Sequence, residues 1–567
     1  MNRGLSRKQL CISVVSLIVT AALMIGIPAA VWVLHSQTSG IDDPTEPPQE
    51  ENLIRRAVKK LEAQKSVDKT LQAELESGIY TFESPLTVLD PYGESPLTAL
   101  ILFETEEPSR IEITIPGKDE DTGAVHIFEE ASIRHAIPVY GLYPDTLNEV
   151  TLRQLSETGE TIAENVVEIQ TEPLPEWLAD YIILTESYGG SYEAGLNYMY
   201  QPLLFAFDKA GIPRWFLSDV NSQLGVKSYA DGHWLVPYGS YHEGDAVVFE
   251  IDLLGKIYRV FYTPYGVHHD ITTMPNGNLL ITGSHGDTVE DLIVEIDAES
   301  GEVVNTLDLR TVLQRTRNGA WQDWCHNNSI TWDESDGTII ISSNHQSTVA
   351  KLTWPEGKIK WLLSDPVEYL PRLQQYLLTP VGADFEYSYR HHHATILPDY
   401  DNDPDTIDIL LFDNGANTRF DIDEELQRAI RANEIIEPEN YSRLVHYRIN
   451  EKDMTVEQVW QYGKERGEEL YSFSRGSAQL LSNDNILGLF SIENDPVVTV
   501  APSCITVEVD NKGNLIWDAE LISKGERGYF YGYRVFRYPI YFSDDREHDL
   551  YTEGQNLIPQ DVLNRNI

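Results

Sequence analysis

Between Leu203 and Leu521 one pattern recurs six times: an alternating apolar strand, an acidic or glycine-containing turn, and a second alternating strand that often carries Trp or Tyr. The copies are "LLFAFDKAGIPRWFL" from Leu203, "VVFEIDLLGKIYRVF" from Val247, "LIVEIDAESGEVVNTL" from Leu292, "VAKLTWPEGKIKWLL" from Val349, "LVHYRINEKDMTVEQVW" from Leu444 and "ITVEVDNKGNLIWDAEL" from Ile505. A repeat of this size is one supersecondary unit that cannot bury its own apolar face, so it has to stack on its neighbours. Ahead of five of the six lies another hairpin, at Tyr229, His269, His326, His393 and Ser477. Two successive hairpins make a four-stranded antiparallel unit, and radial repetition of such units is a β-propeller. The first unit has only "YIILTES" in place of its leading hairpin, while "YRVFRYPIYF" is left over at Tyr533. The ends complement each other, so the late segment is expected to pair into the first unit and close a six-bladed ring.

The ring is assigned to residues 176–567. From about Thr81 to Pro173 short runs such as "LTALILFETE" and "RIEITIPGK", separated by turn residues, predict a small β-sandwich, assigned to residues 76–175. Residues 37–75 read as a polar, acidic, proline-containing tether followed by a short helix, "LIRRAVKKLEAQKSVDKTLQAEL", with helical spacing of its apolar positions. Residues 1–36 contain an uncharged run from Leu10 to Leu34 that follows Arg3, Arg7 and Lys8. That run is long enough to cross a bilayer and longer than the apolar core of a cleaved signal peptide. The expectation is an uncleaved single-pass anchor in the cell membrane, with the N-terminus in the cytoplasm and the rest of the chain outside it. The fold class is therefore all-β: a six-bladed β-propeller preceded by a small β-sandwich domain and an N-terminal transmembrane helix.

Charge excludes one class of partner. The 90 acidic residues against 42 Lys and Arg give a formal charge of −48, which repels a nucleic-acid backbone, and the body of the chain carries no basic patch. Of three cysteines, Cys11 lies in the apolar run, which leaves Cys325 and Cys504 without a disulfide framework; both are expected to be buried free thiols.

Histidines carry the chemistry. Residues at the start of the first, innermost strand of each blade converge near the axis. Pro275 follows His269 by six residues and Pro398 follows His392 by six, which makes these two equivalent; His326 stands ahead of an alternating strand in the same way. Three consecutive blades thus offer one imidazole each. Converging imidazoles suit zinc or a similar metal, for hydrolysis or lyase chemistry. Alternatively, one neutral imidazole is a nucleophile and its neighbours hold a transferred anionic group. Asn328, two residues beyond His326 on the same strand face, is a donor suited to an oxyanion, whereas a metal site would more naturally carry carboxylates there. In "YRHHHATILP" adjacent side chains point to opposite sides of a strand, so His391, His392 and His393 cannot share one centre. A non-catalytic recognition propeller at the cell surface is the remaining class.

Several of these stretches resemble the bacterial aryl-sulfate sulfotransferases that work without the nucleotide donor PAPS. The resemblance runs in order through "LDPYGESPLTALILFETEEPSRIEI", "HAIPVYGLYPDTLNEVTL", "HNNSITWDESDGTIIISSNHQS", "LLFDNG" and "YSRLVHYRINEKDMTVEQVWQYGKERGEELYS". It implies a β-sandwich joined to a six-bladed propeller, and ping-pong sulfuryl transfer from an aryl sulfate to a phenol through a sulfohistidine, with no cofactor. It places the nucleophile on His392, in "HHHA", the assisting histidines on His269 and His326, and the assisting asparagine on Asn328. It permits a homodimer. The family's arginine in "SSRHQ", which binds sulfate oxygens, is here Asn344 in "SSNHQS"; Arg390, Arg534 and Arg537 are the candidate substitutes. Cys325, beside His326, is read as strand packing, and His345 as a residue that either lines the channel or is structural.

Overall fold

The structure, a computed structural model, describes residues 52–156, 158–200, 204–218, 227–228, 232–239, 244–313, 322–366, 369–415, 441–492, 503–523 and 532–566. The expected anchor and tether lie outside these residues; among the described residues no helix is long and apolar enough to cross a membrane.

Helix α1 (Leu53–Leu75) covers the stretch expected to be helical and is capped by Asn52, whose side chain accepts from the Ile54 N–H. Its buried positions, Ile54, Ala57, Leu61, Gln64, Asp68, Leu71 and Leu75, alternate in steps of three and four, one stripe down a helix. The two polar members of the stripe dock it. Gln64 bonds the Gly255 carbonyl and the Ile257 N–H, and Asp68 accepts from the Tyr92 hydroxyl and pairs with Lys256.

Strands β1 (Leu86–Leu89), β2 (Ala99–Ile115), β3 (Ala124–Val139), β4 (Leu147–Leu155) and β5 (Thr161–Gln170) form the N-terminal module. They hydrogen-bond into one antiparallel sheet, order β1-β2-β4-β5 with β3 on β2. β2 is long enough to pair first with β1 and then, beyond the register shifts between Glu104 and Ile111, with β4.

Among the described residues six further sheets follow, each built on an antiparallel run of strands. The first is β7 (Leu196–Tyr200), β8 (Phe205–Phe207) and β9 (Pro213–Phe216), completed at its inner edge by β31 (Arg534–Tyr538), with Arg534 opposite Tyr200. The second comprises β10 (Lys227–Ser228), β11 (Trp234–Gly239), β12 (Ala246–Ile251) and β13 (Ile257–Thr263). The third is β14 (His268–Thr273), β15 (Leu279–Gly283), β16 (Leu292–Ile296) and β17 (Val303–Asp308); the fourth is β18 (Asn327–Asp333), β19 (Thr338–Ser343), β20 (Thr348–Thr353) and β21 (Ile359–Leu363). The fifth carries β22 (Thr379–Val381) outside β23 (His392–Ile396), β24 (Thr406–Asp413), β25 (Arg443–Asn450) and β26 (Thr455–Tyr462). The sixth is β27 (Ser477–Leu480), β28 (Ile486–Ile492), β29 (Ser503–Val509) and β30 (Leu515–Ser523). Every hairpin expected from the repeat is present, and the leftover segment at Tyr533 does pair into the first sheet.

One strand differs from expectation. "YIILTES" forms β6 (Tyr181–Ser187) but pairs antiparallel with β30, as the outer strand of the sixth sheet rather than part of the first. The two chain ends therefore interlock twice, β31 inside the first sheet and β6 outside the last. Residues beyond Tyr538 leave the first sheet and contact the N-terminal module, where Tyr541 donates to the Pro138 carbonyl and Glu547 meets His135, before β32 (Gln555–Asn556) pairs parallel with β13 of the second sheet.

Six apolar clusters lie between successive sheets. Leu235 and Val248 of the second sheet meet Ile281 and Val294 of the third; Leu280 and Ile293 of the third meet Ile339 and Ile341 of the fourth. Ile340 and Val349 meet Ile409 and Val445; Leu410 and Phe412 meet Ala478 and Phe490. Leu487 and Trp517 meet Phe205 and Val535, and Tyr198 and Trp215 meet Trp234 and Phe249, which returns to the second sheet. Neighbouring residues of one strand thus enter opposite clusters, which is why these strands read as near-continuous apolar runs. Cys325 and Cys504 are buried free thiols within them.

Ile340 and Ile341 are both fully buried, one in each adjoining cluster. Ile340→Ala and Ile341→Ala are each expected to lower stability by about 2–4 kcal/mol in urea unfolding. A sheet buried on one face only would leave one of the two substitutions near neutral.

Candidate active site

The innermost strands β14, β18, β23 and β31 begin at one end with polar residues in the middle of an apolar ring. His268, His269, Asn327, Asn328, His391, His392, His393 and Arg534 are all buried. Each of the first three strands starts its ladder irregularly: His268 pairs Thr282 before a shift to Ile271 opposite Ile281, Asn327 pairs Ser343 before Ser329 opposite Ser342, and His392 pairs Phe412 before Thr395 opposite Leu410. Left-handed residues lie within two of these breaks, His269 at φ 43° and His393 at φ 53°, and just ahead of the third, His326 at φ 50°. Such conformations for non-glycine residues cost about 1–3 kcal/mol and persist where the surroundings impose them.

Ladder register therefore corrects the equivalence drawn from the turns: the residue opposite the partner strand ahead of the break is His268 in β14 and His392 in β23, so His392 corresponds to His268, not His269. The count from proline holds along the regular part of each strand and slips by one across the break. The rings of the three expected histidines nevertheless gather. His269 and His326 have centroids 4.7 Å apart, His326 and His392 6.5 Å, and the Tyr533 ring lies 5.4 Å from His269 and 6.0 Å from His392.

Two carboxylates organise this cluster. Glu290, buried and itself left-handed at φ 58°, lies 2.7 Å from His326 Nδ1, 3.0 Å from His269 Nε2 and 3.3 Å from His268 Nδ1. Asp323, three residues ahead of His326, adds a second contact of 3.0 Å to the same Nδ1. Burial alone would depress His326, but the charges of Glu290 and Asp323 outweigh it and hold this imidazole well above its ordinary value, as an imidazolium. Burial lowers His269 to about 4 against the pull of Glu290, and it lowers His345 to about 4 with help from the His326 charge. Glu290 is pulled well below the carboxylate range: burial opposes this, and the His326 and His269 rings prevail.

His392 sits in a different environment. Burial, reinforced by His326, His269 and Arg534, keeps it well below the ordinary imidazole value and therefore neutral, and only a hydrogen bond to Asn414 opposes this. Its Nδ1 is 2.7 Å from Asn414 Oδ1, while its Nε2 is buried with no hydrogen-bond partner among the described residues.

The remaining expected residues are placed as follows. Asn328 donates its amide to the His391 carbonyl at 2.8 Å and leaves its buried Oδ1 without a partner among the described residues. Asn344 donates to the Arg390 carbonyl at 2.7 Å, and its backbone N–H reaches the His326 carbonyl at 3.0 Å, so it ties together the segments that carry His326 and His392. Arg534 is buried beside Tyr533, donates to Asp270 at 3.1 Å and to the Asn328 carbonyl, and has an Nε with no partner among the described residues. Arg537 is held by Glu508 and Asn197 and stacks over Tyr192, a structural role. Burial raises the Cys325 thiol well above its ordinary value, so it is no nucleophile.

Sequence reasoning missed Glu290, Asp323 and Asn414. Glu290 stands in an acidic loop among 90 acidic residues, and nothing in its neighbourhood marks it. These carboxylates also bear on metal binding. His268, His269 and Glu290, and separately Asp323, His326 and His345, place ligand atoms within 4.8 Å of one another. The carboxylates that a metal site wants are thus present, supplied by loops rather than by the strand bearing Asn328.

A family model described as arylsulfotransferase (ASST) matches residues 166–534, and one described as an arylsulfotransferase Ig-like domain matches residues 86–172. Two relatives named arylsulfate sulfotransferase AssT, from Lelliottia amnigena and Escherichia coli, are 27% and 25% identical, each match covering 68% of this chain and 81% of the relative. Among solved structures, an auxiliary nutrient binding protein from Bacteroides ovatus aligns at a TM-score of 0.29 and 11% identity, covering 75% of this chain and 86% of that one. The first family model alone spans well over half of the sequence: the chain belongs to the arylsulfotransferase family.

Proposed function

We propose that this chain is an aryl sulfotransferase that moves a sulfuryl group from an aryl sulfate to a phenol, without a nucleotide donor, by a ping-pong route through a sulfohistidine on His392. The six sheets are read as the blades of a six-bladed β-propeller, with the reaction at the axial end where β14, β18, β23 and β31 begin. The observation that carries the reading is the state of His392: buried, neutral, and with Nε2 unengaged. A neutral imidazole nitrogen with its lone pair available is the form that attacks sulfur.

In the first half-reaction Nε2 attacks the sulfur, the S–N bond forms, and the S–O(aryl) bond breaks with its pair on the leaving oxygen. His326 is the acid. With Nδ1 held by Glu290 and Asp323, Nε2–H is its remaining donor, and the two carboxylates that raise its pKa keep it in the charged form an acid needs. In the second half the neutral His326 takes the proton of the acceptor phenol, whose oxygen attacks sulfur and returns the pair to His392. The His326 imidazolium and Arg534 supply the positive charge that the family obtains from the arginine replaced here by Asn344. His269, neutral and sharing Glu290 with His326, keeps that carboxylate oriented. Attachment to the cell membrane through residues 10–34, with the reaction outside the cytoplasm, is part of this proposal and rests on the sequence alone.

The His–carboxylate sets favour one competing reading, a metal-dependent hydrolase. Metal analysis of the purified chain and assay in chelator separate the two. The sulfotransferase retains 4-nitrophenyl sulfate turnover in EDTA without bound metal, whereas a stoichiometric metal and chelator-abolished activity would establish the hydrolase.

His392→Ala is expected to lower transfer from 4-nitrophenyl sulfate to a second phenol by more than about 1000-fold with an unchanged thermal melt. The pH profile follows from opposite shifts. His392, depressed, is neutral above its pKa; His326, raised, is charged below its own. The first half-reaction should therefore run on a plateau that spans the ordinary imidazole pKa of about 6.5, falling only on the acid side as His392 is protonated and on the alkaline side as His326 is lost. Glu290→Gln should move the alkaline limb downward. A single inflection near the ordinary value would contradict both assignments.

A further inference from the structure

We propose that Asn414 is the positioning residue of the nucleophile: it locks His392 in the tautomer that carries hydrogen on Nδ1 and so presents the Nε2 lone pair to sulfur. This rests on the reading of His392 as the nucleophile and deepens it.

The lock is built from groups whose roles leave no choice. Asn414 lies at the end of β24, two residues beyond Phe412, which pairs with His392. It is fully buried. Its Nδ2 donates to the Ser472 carbonyl at 2.7 Å and to the Arg475 carbonyl at 2.8 Å. Carbonyls only accept, so turning the amide over would set Oδ1 against two acceptors and break both bonds. Oδ1 is therefore fixed toward His392 Nδ1, 2.7 Å away, and because it also only accepts, Nδ1 has to carry the hydrogen. The frame is rigid: Ser442 Oγ donates to the Asn414 carbonyl at 2.8 Å and receives the Ser472 N–H at 2.9 Å.

A contrast within the same site says why this residue is an amide. His326 has carboxylates at its Nδ1 and is held as an imidazolium. His392 has a neutral oxygen in the corresponding place, which orients the ring and stabilises positive charge on it less than a carboxylate would. When Nε2 takes the sulfuryl group and the phenolate leaves, Nδ1 keeps its hydrogen and the ring becomes a sulfoimidazolium with its charge offset only by the sulfonate. An amide leaves this species high in energy and ready to return its electron pair to Nε2 as the acceptor phenolate attacks. A carboxylate would stabilise it and slow the second transfer.

The test uses the full-length chain with Asn414→Leu, which removes the acceptor at similar volume, and Asn414→Asp, which keeps the shape and adds charge. Asn414→Leu is expected to lower the burst of 4-nitrophenolate about 100-fold at every pH with little change in KM. Asn414→Asp is expected to move the acid limb of the burst upward by about one pH unit or more and to slow acceptor-dependent decay of the sulfonated chain about tenfold. An unmoved acid limb in the Asp variant, or a folded Leu variant with a wild-type burst, overturns the proposal; if the Leu variant does not fold, the Asp variant decides alone. Should His392→Ala keep its activity, the nucleophile assignment fails rather than the lock. The lock is then judged by nitrogen NMR of labelled histidine, with His392 assigned by its loss in His392→Ala. Hydrogen on Nδ1 in the wild type, lost or averaged in Asn414→Leu, supports it, and hydrogen on Nε2 in the wild type refutes it.

Discussion

The inner and middle strands of the six sheets are buried on both faces, and the placement of the candidate site follows from this two-sided burial. Adjacent residues such as Ile340 and Ile341, or Leu280 and Ile281, enter different clusters, so these strands have no solvent face on which polar side chains could be placed without cost; exposed positions belong to outer strands such as β6, β17 and β26. Apart from charges paired within the sheets, such as Glu508 with Arg537 and Asp413 with Arg443, buried polar side chains gather where the ladders break, at the starts of β14, β18 and β23. There the register shifts and left-handed residues turn side chains off the alternation, and histidines from three sheets meet. Closure matters for the same reason. β31 completes the first sheet and brings Tyr533 and Arg534 to the cluster, so the pairing of β31 with β7 also completes the candidate site.

Within that dry setting the protein assigns charge by choice of hydrogen-bond partner. His269 and His392 are fully buried and His326 is partly so, and the states of the three imidazoles differ with their partners. Carboxylates at Nδ1 make His326 a cation; His269 stays neutral because its one carboxylate does not overcome burial; the amide of Asn414 leaves His392 neutral and oriented. The result is a cation beside an uncharged imidazole, the pairing that the proposed attack on a sulfate ester requires. Asn344, where the sequence resemblance expects an arginine, ties the Arg390 and His326 segments together, and in the proposed reaction the positive charge comes from His326 and Arg534.

Much of this was legible in the sequence because it follows from periodicity. The hairpins, the joining of the chain ends and the stripe of α1 each leave a local pattern of apolar spacing. What was not legible depends on contacts that cross the fold. "YIILTES" has the alternation of a strand, but nothing in its seven residues says that its partner is β30 rather than β7. Counting from proline cannot detect an irregular ladder, so His269 was matched with His392 although His268 holds the equivalent position. Glu290 and Asp323 are ordinary acidic loop residues until Glu290 is buried against the histidines and Asp323 is brought beside His326. Asn414, in "LLFDNG", gains meaning only through carbonyls about sixty residues away. Gln64 and Asp68 interrupt the apolar stripe of α1 for a reason that appears only where the helix docks.

The central claim is that His392 carries the sulfuryl group between donor and acceptor. The most direct measurement is mass spectrometry of the chain after brief exposure to 4-nitrophenyl sulfate without a phenol acceptor, with the modified peptide sequenced. The account predicts one sulfonyl adduct, located on His392, that disappears when a phenol is added. Released 4-nitrophenol without an adduct, or an adduct on any other residue, would contradict it.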